Sequence, residues 1–120
     1  MKIARRLITF ALACGIAIVA VPGATAHAGQ LKATHGNTGF TSAWQLYTSG
    51  DSNRAALTYG FNTTAIHEDY AWANHSTLTH YASLKNGKGT YAGPTKSVTA
   101  VSKIEITHTA IATYEYYCNF

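Results

Sequence analysis

The sequence predicts an all-β fold, a small antiparallel β-sandwich preceded by a cleavable N-terminal signal helix. Three observations carry this. Residues 29–120 are rich in Thr and Tyr, hold Trp44 and Trp72, and are poor in Leu, Glu and Lys, a composition suited to pleated, half-buried surfaces. No part of that stretch sustains a helical apolar period. Short alternating runs are separated by Gly, Asn, Asp and Pro clusters, the spacing of a sandwich or small barrel.

The leader comes first. Lys2, Arg5 and Arg6 precede an apolar run from Leu7 to Val21, broken only by Thr9 and Gly15. Pro22-Gly23 and Ala24-Thr25-Ala26-His27-Ala28 follow. This is the n-region, h-region and A-x-A cleavage pattern of a secretory signal peptide. Cleavage is expected after Ala28, with Ala26 the second choice, giving a secreted, extracellular protein. Arg5-Arg6 also fits a twin-arginine leader, so the export route stays open. Leu12-Ala13-Cys14 resembles a lipid-attachment site, but the apolar run continues beyond it.

The remaining elements follow in order. Residues 30–39 read as an irregular arm, with Gly36, Asn37 and Gly39 as breakers. Phe40 to Thr48 alternates as a strand, and Ser49–Asn53 is a turn cluster and the one candidate boundary. Arg54 to Phe61 reads as a second strand, ended by Asn62. Thr63 to Asn74 reads as loop plus a short strand, and Leu78 to Lys85 as a strand. Asn86-Gly87 is the strongest hairpin signal, because Asn-Gly takes φ > 0 readily. Thr90–Ala92 is its return, stopped by Gly93-Pro94. Val98–Thr107 and Thr109–Tyr117 form the last pair.

Cleavage rewrites the charge. The whole chain carries +4. Residues 29–120 keep Lys32, Arg54, Lys85, Lys88, Lys96 and Lys103 against Asp51, Glu68, Asp69, Glu105 and Glu115, a net +1. That balance argues against nucleic acid as a partner, which calls for clustered cations. Cys14 leaves with the leader, so Cys118 stands alone and is a candidate for an intermolecular disulfide, hence a homodimer, or for a free thiol.

No enzyme motif appears: no G-x-S-x-G, no H-E-x-x-H and no phosphate-binding glycine loop. Glu68-Asp69 are neighbours that point apart on a strand, poor geometry for a glycosidase pair. His75 and His80 are five apart, which suits neither a strand nor a helix metal site. The expectation is a non-enzyme with no cofactor and no metal. Function falls instead to aromatics, because Tyr and Trp join an apolar body to a polar tip. The candidate binding residues are Tyr70, Trp72, His75, His80, Tyr116, Tyr117 and Phe120. Lys85, Lys88, Lys96 and Lys103 offer weak attraction to an anionic group.

Residues 58–120 resemble the lactococcin 972 family of secreted bacteriocins. The resemblance rests on Tyr59-Gly60, on Tyr70-Ala71-Trp72-Ala73-Asn74-His75, on His75-Ser76-Thr77-Leu78-Thr79-His80 with Tyr81-Ala82-Ser83-Leu84, and on the tail Tyr116-Tyr117-Cys118-Asn119-Phe120. The chain departs from the family in having Tyr59 where a tryptophan is usual and in lacking a late Trp-Ala near Thr107–Ala112. Residues 29–57 have no counterpart. The resemblance implies two small antiparallel sheets and a non-enzymatic antibacterial that binds lipid II, a cell-wall precursor, and blocks septum and wall synthesis. It also implies an immunity and ABC transporter partner. It divides the chain into a signal peptide (1–28), an N-terminal extension (29–57) and a bacteriocin-like domain (58–120). The alternative from another class is a secreted structural or adhesive β protein that assembles through Cys118 or through strand edges.

Overall fold

A computed structural model describes residues 29–120; the predicted signal peptide and its helix lie outside the described residues. Eight strands form: β1 (Gln30–Gly36), β2 (Trp44–Gly50), β3 (Ala55–Asn62), β4 (Glu68–His75), β5 (Tyr81–Asn86), β6 (Gly89–Ala92), β7 (Ser102–Thr107) and β8 (Thr113–Asn119). They make two four-stranded antiparallel sheets, ordered β1-β8-β5-β6 and β2-β3-β4-β7. No helix occurs among the described residues.

The sheets meet over alternate residues, as the period of two requires. β3 contributes Leu57, Tyr59 and Phe61, β4 Ala71 and Ala73, β5 Ala82 and Leu84, and β8 Tyr114, Tyr116 and Cys118, all buried. Alanines on β4 and β5 leave room for the rings on β8. Tyr116 lies 4.7 Å from Tyr59, centroid to centroid. Its hydroxyl is buried without a hydrogen-bond partner among the described residues, a cost of about 1–3 kcal/mol that burial of the ring must offset.

Several sequence expectations need correction. Residues 30–39 are not an arm: β1 pairs with β8 from Gln30↔Asn119 to Gly36↔Thr113. Its inward residues are Leu31, Ala33 and His35, too small or polar to mark an obvious strand, and its partner lies at the far end of the chain. Phe40 is not in β2. Its ring closes one end of the core instead, within 5.5 Å of Trp44, Phe61, His108 and Tyr114. The Thr63–Asn74 stretch is loop followed by strand as expected, with β4 starting at Glu68 and running eight residues to His75. β7 and β8 do not pair with each other: β7 borders β4, and β8 lies between β1 and β5.

The Asn86-Gly87 hairpin joins β5 to β6 as expected. Its positive φ falls on Gly89 rather than Gly87. Asn86 Oδ1 accepts the Lys88 N–H at 2.8 Å, an Asx turn that fixes the corner.

The boundary between residues 57 and 58 falls inside β3. Residues 29–57 supply β1 to one sheet and β2 to the other. They are therefore integral to both layers of the described fold, not an appended extension.

Candidate functional site

β4 inverts the usual arrangement of a sheet strand. Its inward side chains are Asp69, Ala71, Ala73 and His75, small or polar. Its two large rings, Tyr70 and Trp72, have the outer parity, but only Trp72 is half-buried there; Tyr70 is buried, covered by its neighbours on that face. The register places Tyr47, Thr58, Trp72 and Lys103 in one row across the outer face of β2-β3-β4-β7. The next row is Gln45, Gly60, Tyr70 and Glu105.

These groups hold one another. The Tyr70 and Trp72 rings are 5.0 Å apart and tilted by 35°. Lys103 Nζ sits 4.7 Å above the Trp72 ring, a cation–π contact. Trp72 Nε1 donates to Glu105 Oε2 at 3.3 Å, and the Tyr70 hydroxyl donates to Gln45 Oε1 at 3.0 Å. Tyr70 reaches Gln45 by crossing Gly60, where an added Cβ would lie 2.7 Å from the Tyr70 hydroxyl oxygen. Burial, then the Glu105 charge, raises the Tyr70 pKa, so the hydroxyl stays a donor. Tyr47, at 65 % exposure, is the most open ring of the face. The surface thus presents ring edges, one ammonium and one carboxylate.

The other candidate residues fall elsewhere. His75 and His80 are not on one strand; residues 76–79 turn between them. Both are fully buried. His75 Nδ1 accepts the N–H groups of Thr77 and Leu78 at 3.1 and 3.0 Å. That nitrogen carries no proton, so Nε2–H donates to Asp51 Oδ2 at 2.7 Å. With both nitrogens engaged, His75 pins the 76–78 turn to the β2–β3 loop. That loop holds Asp51, Ser52 and Asn53 at positive φ and ties Asp51 to Arg54 at 2.9 Å. His80 faces two carbonyl oxygens, Leu78 O at 2.9 Å and Ala100 O at 2.5 Å. A neutral ring donates one of these bonds and an imidazolium both.

The His75 corner sets a pH dependence. Burial above all holds the His75 pKa below its ordinary 6.5, against the pull of Asp51. As pH falls below that value the unfolded chain takes up a proton that the folded chain resists, so this contribution is intact above pH 6.5 and shrinks toward the depressed folded value. Asp51 acts in the same direction further down. Burial pushes its pKa up, but the bonds from His75 and Arg54 and their charges outweigh it, leaving it below 3.8. Denaturation midpoints of the 29–120 protein should therefore fall as pH drops from neutral to about 5. A flat or rising profile would contradict the neutral-His75 assignment.

The C-terminal tail is not one surface. Tyr116 is inside the core, whereas Tyr117 is half-buried on the outer face of the other sheet. There Tyr117 hydrogen-bonds Glu115 through its hydroxyl and lies under Lys32. The Phe120 ring packs 4.7 Å from His75.

Cys118 is fully buried, with Sγ 3.4 Å from the Asn74 carbonyl. Burial, mainly, raises its pKa to about 12. An intermolecular bridge through this sulfur would need β8 to leave its sheet. A thiol reagent should leave Cys118 unmodified in native 29–120 protein and label it fully in denaturant; rapid native labelling would show that β8 opens.

The sequence did not single out Gln45, Tyr47, Thr58 or Glu105 for this face. The polar–apolar alternation of Lys103, Ile104, Glu105 and Ile106 was a usable signal for β7; the cross-strand rows were not visible without the register. No protein-family model, no curated protein and no solved structure matches the chain.

Proposed function

We propose that this chain is a secreted antibacterial protein of the lactococcin 972 type, which binds a cell-wall precursor such as lipid II and blocks septum and wall synthesis. The observation that supports it is the outer face of β4, where Trp72 is half-buried with Lys103 and Glu105 beside it and the buried Tyr70 ring props it from below. The open Tyr47 ring and the Trp72 edge suit the sugar of such a precursor, the Glu105 carboxylate can accept hydrogen bonds from its hydroxyls, and the Lys103 ammonium suits its pyrophosphate. In this reading the protein acts by binding outside the target cell, without turnover, and Tyr116, His75 and His80 support the fold. An immunity or ABC transporter partner belongs to the same proposal.

Growth inhibition tests it. Purified 29–120 protein should arrest susceptible bacteria at the septation stage. Absence of inhibition across a broad bacterial panel would count against the antibacterial reading and favour a structural or adhesive protein. Burial of Cys118 removes the support for assembly through that thiol; a strand edge is the remaining route.

A further inference from the structure

The four sheet edges are not equally protected. β7 carries Lys103 and Glu105, β1 carries Lys32, and β6 is four residues long and is followed by Gly93-Pro94. Charge, brevity and proline are the usual means of blunting an edge. β2, Trp44-Gln45-Leu46-Tyr47-Thr48-Ser49-Gly50, has none of them. Among the described residues it is an edge of its sheet, paired with β3 alone. No backbone hydrogen bond outside that pairing involves its residues among the described part of the chain. Two of its apolar side chains are open, one on each face: Leu46, with the parity of the core, is 46 % exposed, and Tyr47 is 65 % exposed.

We propose that β2 is a homodimer interface, pairing antiparallel with β2 of a second copy about a twofold axis centred on Tyr47. The occupant follows from the strand itself. Antiparallel self-pairing requires opposed residues to lie on the same face. The register that uses all seven residues sets Tyr47 against Tyr47, Leu46 against Thr48, Gln45 against Ser49 and Trp44 against Gly50. No charged residue lies on β2, so this pairing opposes no like charges. The same operation on β1 sets Lys32 against Thr34 about Ala33, bringing two ammonium groups to one short interface. Isologous pairing closes at two copies, so the product is a dimer with a continuous eight-stranded sheet, not a fibre. It also joins the two Trp72 faces into one surface, since Tyr47 and Trp72 share a row. The inference stands independently of the antibacterial reading.

Sedimentation of the 29–120 protein in reducing buffer, from low micromolar to millimolar, tests it. Reductant removes any contribution of Cys118. The wild-type chain should show a reversible monomer–dimer equilibrium. Tyr47→Lys, which opposes two ammonium groups at the axis, should weaken dimerisation at least about tenfold. Val101→Lys, at an exposed apolar site beside β7, the opposite edge of the sheet, should leave it unchanged. Hydrogen exchange on the wild-type chain gives a reading that needs no variant: amides of β2 should slow as concentration rises, while those of β7 should not. A wild-type monomer throughout the range, a Tyr47→Lys dimer of undiminished affinity, or concentration-independent exchange in β2 would each overturn the proposal.

Discussion

Replacing Asp69 with Ala should destabilise the fold by about 3 kcal/mol or more. Asp69 is fully buried on the inner face of β4. Its Oδ1 meets His108 Nδ1 at 2.8 Å, and its Oδ2 accepts from Asn86 Nδ2 at 2.8 Å. Asn86 also donates to the Thr107 carbonyl and accepts the Lys88 N–H. One carboxylate therefore anchors the β5–β6 hairpin, the end of β7 and the loop before β8. His108 stacks on Phe40 and approaches the Tyr114 hydroxyl at 3.5 Å; that hydroxyl donates to Asn37 Oδ1 at 2.9 Å. The network so reaches the β1–β2 connection. Removing the carboxylate leaves His108 and Asn86 without their buried acceptor. Urea denaturation of the variant measures the loss. A change below about 0.5 kcal/mol, the level of an ordinary surface substitution, would show that Asp69 is not the anchor.

Replacing Trp72 with Ala should reduce antibacterial activity by roughly thirtyfold while leaving the fold intact. Trp72 is half-buried on the outer face, and its main partners, Lys103, Glu105 and Tyr70, are themselves on that face. The core does not depend on it. A ring at the centre of a contact surface is commonly worth about 2 kcal/mol of binding, which corresponds to that factor. Dose–response on a susceptible strain, with circular dichroism as the folding control, gives the comparison. A folded, fully active Trp72→Ala would move the site off this face. Truncating Tyr116 cannot serve the same purpose, because a buried ring lost from the core costs about 3–5 kcal/mol in stability.

The contrast between Tyr116 and Tyr117 shows what a sequence can and cannot disclose here. Their alternation was visible, and Glu115 marks its own parity as the outer one. Tyr114, Tyr116 and Cys118 then belong inside, as observed. β3 and the Asn86-Gly87 hairpin were legible because their signals are local. β1 was not, since its stability comes from pairing with β8 across the length of the chain. β4 misleads in a physical way. Its inner face is Asp, Ala, Ala and His because the facing layer supplies the bulk and Asn86 and His108 supply the partners. Its aromatics face outward, so apolar periodicity alone assigns the wrong side. Tyr70 and Trp72 could be picked out as candidates by residue type, but Lys103 and Glu105 join them only through the β4–β7 register.

Binding to vesicles tests the central claim most directly. The 29–120 protein should cosediment with phospholipid vesicles doped with lipid II and not with the same vesicles lacking it, and Trp72→Ala should abolish most of the difference. Equal cosedimentation with doped and undoped vesicles, or none with either, would contradict recognition of a wall precursor by this face.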